Sequence, residues 1–131
     1  MTRKIYKPDL IYPELSYKIV GILFDIFSSL GYGFGEKQYQ KAIEIALKNL
    51  NIKYKKELPI KIFYKDNFLT NNYADFLIDN KIILEIKKGN FFNKKDIEQV
   101  FNYLKVYNVK LGILARFTRS GVKFKRIINI K

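Results

Sequence analysis

Tyr73-Ala74-Asp75-Phe76-Leu77-Ile78-Asp79-Asn80-Lys81-Ile82-Ile83-Leu84-Glu85-Ile86-Lys87 runs through two apolar-rich segments on either side of an Asp-Asn turn signal, a pattern that predicts a β-hairpin with strands at 73–78 and 82–87. Register follows from loop length. A three-residue loop, Asp79-Asn80-Lys81 with Asn80 in the left-handed region, sets residue 78 opposite 82, 76 opposite 84 and Asp75 opposite Glu85. Ala74, Phe76 and Ile78 then share a face with Ile82, Leu84 and Ile86. A two-residue loop would set Asp75 against Leu84 and scatter that face, which a buried sheet penalises. The opposite face carries Asp75, Glu85 and Lys87 close together on a hairpin that is otherwise hydrophobic.

Upstream of the hairpin, period-two patterning predicts strands at 52–57 and 59–65, closed by an Asp66-Asn67 turn signal. Before them the period is helical. Tyr12-Pro13-Glu14 reads as a helix start, and Leu15, Ile19, Ile22, Leu23, Ile26, Phe27 and Leu30 form one apolar stripe. Gly31-Tyr32-Gly33-Phe34-Gly35 ends that helix, and a second runs from about 36 to 50 with Tyr39, Ile43 and Leu47 in its stripe. Downstream, Asn93 is placed to cap a helix over 94–107 whose core stripe is Ile97, Val100, Phe101 and Leu104, with Gln99 and Tyr103 one turn apart on its flank. Alternation at Val109, Leu111 and Ile113, and again at Val122 and Phe124, adds two strands, and the strand-helix-strand order suggests a right-handed crossover onto one sheet. The expectation is one α/β domain over residues 1–131, a mixed β-sheet flanked by helices in the order α-α-β-β-β-β-α-β-β.

Composition narrows the chemistry. With no histidine and no cysteine among 131 residues, zinc sites, imidazole bases and thiol nucleophiles are excluded, leaving carboxylates, Lys, Tyr, Ser and Thr. The lack of cysteine suits a reducing compartment, and the longest apolar stretch, 19–30, is broken by Asp25 and two serines, so a cytoplasmic protein with no membrane span is expected. The formal net charge of +13 points to a polyanionic partner, although 4 of the 25 basic residues are Arg and ordinary surface lysine accounts for part of the excess. Between Arg116 and Lys131 there are six basic residues and no acid.

An acid on one strand and Glu-x-Lys on its neighbour can hold a divalent cation beside a phosphodiester. Two carboxylates supply hard oxygen ligands for Mg²⁺ or Mn²⁺, the ion activates a water, and a lysine two residues on faces the same side. A structural Asp/Glu/Lys ion-pair cluster is the alternative reading of the same three residues.

Gly33-Phe34-Gly35-Glu36-Lys37-Gln38-Tyr39 resembles the motif of the GxxExxY proteins, a branch of the PD-(D/E)XK nuclease superfamily. The resemblance extends through Glu14-Leu15, Gly21, Leu30-Gly31, Ala74-Asp75-Phe76-Leu77, Ile83-Leu84-Glu85-Ile86-Lys87, Glu98-Gln99, Tyr103-Leu104-Lys105 and Arg126-Ile127-Ile128-Asn129. It implies a PD-(D/E)XK nuclease-like core in which Asp75, Glu85 and Glu36 are metal ligands, Lys87 is the catalytic lysine and Gln99 stands beside the metal. Glu14, Tyr39 and Tyr103 match positions near the site. The chain departs from the pattern at Tyr73, where the branch commonly has a basic residue, and at Arg116, in place of an asparagine.

Together these features lead us to expect a Mg²⁺- or Mn²⁺-dependent endo- or exodeoxyribonuclease, with Lys88, Arg116, Arg119, Lys123 and Arg126 contacting nucleic acid, DNA being the expected polymer. The alternative is a weakly active or inactive nucleic-acid-binding module that keeps the nuclease fold, and RNA as substrate is a third reading. With no base-reading element in the pattern, the expectation is a structure-selective or non-specific enzyme, or one targeted by a protein partner, and a homodimer is one way for so short a chain to cut both strands of a duplex.

Overall fold

The computed structural model describes residues 11–130. Two helices, α1 (Pro13–Leu30) and α2 (Glu36–Asn49), precede the strands β1 (Tyr54–Tyr64), β2 (Asn67–Ile78) and β3 (Ile82–Lys87). They are followed by α3 (Lys94–Tyr107), β4 (Leu111–Thr118) and β5 (Gly121–Ile128). The strands form one sheet in chain order, antiparallel except for the parallel pair β3 and β4 that α3 connects. Residues of α1 and α2 pack on one face with Phe76, Ile78, Leu84, Ile86 and Ile113, while α3 covers the other with Leu77, Ile83 and Leu114. This is the expected α/β sandwich.

The strand count is one lower than expected, giving the order α-α-β-β-β-α-β-β. The runs at 52–57 and 59–65 are a single strand, because β1 lies at the sheet edge, where Pro59 has a free side on which its missing N–H breaks no ladder bond. Glu57, two residues before it, takes up a φ of 57° without ending the pairing. Strand β2 starts at Asn67 rather than 73. Its polar first half pairs along β1 across a two-residue turn, Lys65-Asp66, whose φ values of 47° and 67° match the twist of a hairpin.

The β2–β3 register is the expected one: Ile78 pairs with Ile82, Leu77 with Ile83 and Phe76 with Leu84. Both Asp79 and Asn80 are left-handed, and Lys81 N–H donates to the Ile78 carbonyl at 2.9 Å. One detail of the faces differs. Ala74 packs with Leu58, Leu77 and Ile83 on the α3 side, not with Phe76 and Ile78, because regular alternation breaks at Asp75 and Glu57.

Helix α3 is capped as expected, Asn93 Oδ1 accepting from Asp96 N–H at 2.8 Å, and ends at left-handed Asn108. Its buried stripe is Val100, Tyr103 and Leu104, with Tyr103 1% exposed and Phe101, expected in the core, 37% exposed. A stripe at i, i+3 and i+4 fixes the side that faces the sheet, and position 101 falls outside it. Gly112 permits the close seating of this helix: a Cβ there would stand 2.8 Å from Val100 Cγ1. Every residue of β4 is buried, making it the rigid centre on which both helical layers rest. No helix among the described residues is long and apolar enough to cross a membrane.

Candidate active site

The β2–β3 ladder stops at Phe76–Leu84, and the next pair replaces backbone bonds by side-chain bonds. Asp75 N–H donates to Glu85 Oε1 at 3.0 Å, and Ile86 N–H donates to Asp75 Oδ2 at 2.7 Å. Each carboxylate therefore fastens to the other strand with one oxygen. The second Glu85 oxygen, Oε2, lies 3.5 Å from Lys87 Nζ. Sequence spacing accounts for this trio, since 85 and 87 share a face of β3 and 75 and 85 each stand one residue beyond the last paired position, Phe76–Leu84.

The pair is electrostatically unsatisfied. Burial pushes the Asp75 carboxyl up from 3.8 to about 6, with only partial relief from the Ile86 N–H and Lys87. Glu85, 4% exposed, is pushed up from 4.5 to about 8 by burial and then by the facing Asp75. Tyr103, behind them in α3, is held well above a phenol's ordinary value by burial and by the two carboxylates. Two buried carboxylates with one nearby ammonium lack positive charge.

Around this pair the two helical layers contribute different walls. On the α2 side, Glu36, Lys37, Gln40, Glu57 and Tyr73 line a cleft of about 370 Å³ with Asp75. Glu36 raises the Asp75 pKa through its charge, whereas the Gln40 amide lowers it by hydrogen bonding. On the α3 side, Asn72, Lys87, Lys95, Gln99 and Tyr103 line a second cleft of about 510 Å³. Gln99 Oε1 is buried there without a hydrogen-bond partner.

Glu36 owes its position to the loop before it. Gly33, at φ 111°, turns the chain, Gln38 Oε1 accepts from Gly35 N–H at 2.8 Å, and Tyr39 donates its hydroxyl to the Gly31 carbonyl at 2.6 Å. Tyr39 is buried and stacked on Phe117 with ring centroids 4.0 Å apart, so its work is to fix this loop.

The structure thus brings Asp75, Glu85, Lys87, Glu36, Gln99 and Tyr103 to one region and sets others apart. Glu14 lines a separate hollow with Lys53, Asp79 and Lys81 at the turn end of the hairpin, and Asp79 lies four residues, or ~13 Å, along the strand from Asp75. Arg116, expected to contact nucleic acid, is 2% exposed. Its guanidinium donates to Asp96 and to the Lys88 carbonyl and sits 5.3 Å from the Phe92 ring centroid. It clasps the 88–93 loop to α3, because β4 is buried on both faces and an arginine there must pair internally. Arg126 is half-buried and is also engaged internally, donating to Ser16 Oγ at 3.1 Å. Lys88, Arg119 and Lys123 are exposed. Arg119 lies 5.4 Å from the ring of Tyr32, which lines a hollow with Glu36, Lys87 and Lys88.

Sequence reading missed Lys37, Gln40, Asn72 and Lys95. A signal existed for Gln40, four residues after Glu36 and so on the same helix face; the two lysines and Asn72 had none beyond their position beside site residues.

Among the described residues no three acidic groups converge closely enough to enclose one ion, so Asp75 and Glu85 are the intimate pair and Glu36 acts on it at longer range. The donor set nonetheless suits a hard divalent cation: two desolvated carboxylates short of positive charge, beside an orphaned amide oxygen at Gln99.

A family model for the PD-(D/E)XK nuclease superfamily matches residues 13–127, and the chain belongs to that superfamily. Its members are typically phosphodiester-cleaving nucleases that use divalent metal ions. Among solved structures, the crystal structure of SSO0001 superposes with a TM-score of 0.55 at 21% identity, covering 92% of this chain, a likeness of fold. The chain spans 58% of the length of that solved chain. No curated protein matches it.

Proposed function

We propose that this protein is a divalent-metal-dependent nuclease that hydrolyses phosphodiester bonds in DNA. The observation that carries the reading is the Asp75–Glu85 pair, locked across two strands by reciprocal main-chain hydrogen bonds with Lys87 Nζ 3.5 Å from Glu85 Oε2. Asp75 and Glu85 would hold Mg²⁺ or Mn²⁺, with Glu36 lining the same cleft as Asp75. Such an ion would supply a Lewis acid for acidifying water and offsetting charge on the phosphate.

The chain's own residues do the rest. The backbone donors of Asp75 and Ile86 fix one oxygen of each carboxylate, so the remaining oxygens are preorganised at no conformational expense. Lys87, partly exposed, is placed to orient the attacking water and to donate to a phosphate oxygen. Gln99 offers an unpartnered acceptor on the same side; Lys37 and Lys95 line the two clefts, and Lys88 lines the neighbouring hollow where Arg119 lies over Tyr32, adding positive charge that draws in a phosphate backbone.

The test is cleavage of supercoiled plasmid, single-stranded DNA and a branched junction in Mg²⁺, Mn²⁺ or chelator, with Asp75→Ala and Glu85→Ala in parallel. Metal-dependent cleavage lost in both variants is the expected result. A nucleic-acid-binding module with the nuclease fold is favoured by one observation, the failure of Glu36 to close on the carboxylate pair. Salt-sensitive binding by all three proteins, with no cleavage of any substrate, would establish that reading instead.

A further inference from the structure

The β1–β2 pair continues past the core as a two-stranded ribbon: from 61 to 70 every residue except Ile62 is exposed. Its side chains are unusual for a solvated hairpin. Phe63, Phe68 and Tyr73 are 55%, 54% and 53% exposed, and Phe63 and Phe68 meet edge to face at 6.0 Å. Tyr64 is 58% exposed under Lys65 Nζ at 5.3 Å.

Register assigns the faces. Leu58, Ile60 and half-buried Ile62 turn toward α3, so Pro59, Lys61 and Phe63 point the other way, opposite Tyr73, Asn71 and Phe68. A register shift between Ile62 and Phe63 brings the two phenylalanines onto each other. Tyr73 also lines the cleft that holds Asp75 and Glu36. One continuous surface therefore leads from the carboxylates along Tyr73 to the Phe63/Phe68 pair.

Charge selects the occupant. From Lys55 to Asp66 there are four lysines against two acids, Glu57 and Asp66, and among these lysines Lys56 alone is engaged with an acid, Glu44, at 3.1 Å. Exposed aromatic rings interleaved with free lysines suit a strand that offers π-faces and phosphates together. An apolar protein partner would leave Lys61 and Lys65 without counter-charges.

We propose that the β1–β2 ribbon is a base-stacking arm, which takes unpaired DNA bases on Phe63, Phe68 and Tyr73 and feeds the adjoining backbone to the carboxylate cleft. This rests on the reading of the site as a DNA nuclease and deepens it: the substrate class is DNA with a single-stranded segment. The arm recognises the absence of pairing, since every base has a π-face and a paired base conceals it.

The experiment measures binding in chelator, so that cleavage plays no part, of a single-stranded oligonucleotide carrying 2-aminopurine and of a fully paired duplex. Wild type is compared with Phe63→Ala, Phe68→Ala and Lys61→Ala, with thermal melting to verify folding and light scattering to read oligomeric state. Wild type should quench 2-aminopurine, and each Phe variant should lose about tenfold in single-strand affinity while duplex affinity changes less than about twofold. Lys61→Ala should lower the salt slope by about one. Unchanged single-strand binding in both Phe variants, equal losses on both substrates, or a dimer that the Phe variants dissolve would overturn the arm. The last outcome would make the ribbon a seat for a second copy of the chain through its β1 edge. Cleavage assayed separately distinguishes the two readings: stacking without cleavage removes the nuclease and leaves the arm, and cleavage with unaltered single-strand binding does the reverse.

Discussion

Glu44 and the Asp75–Glu85 pair are both carboxylates beside lysines, yet they behave in opposite ways. Glu44, on the α2 surface, accepts from the Tyr54 hydroxyl at 2.6 Å and from Lys56 at 3.1 Å, and its pKa is lowered, first by the Tyr54 hydrogen bond. Tyr54 itself is pushed up to about 12 by burial and by that bond. Asp75 and Glu85 have backbone donors and Lys87, but burial outweighs these and both pKa values rise. Hydrogen-bond count alone does not tell a structural ion cluster from a reactive one. What separates them is whether the charges present suffice for the desolvation imposed.

The largest effect that could break this contrast is on activity. Asp75→Ala or Glu85→Ala should lower metal-dependent cleavage by on the order of 10²–10³-fold, while Glu44→Ala leaves it unchanged; plasmid nicking measures all three. Equal loss in Glu44→Ala would erase the distinction.

Next comes stability at Arg116, a third charged region, in which a buried cation has a counter-charge. Its side chain is 3% exposed and paired with Asp96. Truncation to Ala strips Asp96 and the Lys88 carbonyl of their partner and should destabilise the fold by about 3–5 kcal/mol, read by denaturant unfolding. A loss confined to nucleic-acid affinity, with stability intact, would return Arg116 to the role of a phosphate contact.

A pH series sharpens the comparison further. Without histidine or cysteine, few groups change charge between pH 5 and 8, so the perturbed carboxyls dominate. Their folded values lie above the ordinary 3.8 and 4.5, so the folded state keeps protons that the unfolded chain has released. The stability this contributes is full below about pH 4 and is lost as pH rises through about 6 and then about 8. In chelator the melting temperature should fall by several degrees from pH 5 to pH 8, and Mg²⁺ or Mn²⁺ should restore it at pH 8 but not at pH 5. Glu85→Gln should flatten the profile. The smallest effect is at Glu44: Glu44→Gln should cost less than about 1 kcal/mol at neutral pH, since its partners lie at a solvated surface.

Much of the site was legible because it is written in local periods. Asp75, Glu85 and Lys87 converge through a two-residue repeat and a loop length, and Asn93 caps its helix through a contact three residues away. Those relations need only the chain's neighbouring geometry. Glu36 and Gln40 share a helix face for the same reason, although the cleft they enter was not visible from α2 alone.

Burial of the basic residues was a different matter. Arg116 and Arg119 are three residues apart in one basic tract, but the first is locked inside and the second is free. The difference arises because β4 becomes a buried interior strand only when β3, β5 and both helical layers assemble around it. Pro59 presents the same lesson in reverse: expected as the start of a separate strand, it lies inside β1 and is tolerated because β1 ends up at the edge. The pattern of side chains along the chain determined the hairpin register, the helices and the acid pair, since each depends on periods of two or 3.6 residues. Tertiary assembly alone decided which charges lost their water and which aromatics stayed exposed. Desolvation depends on what arrives from distant parts of the chain, and no local period encodes it.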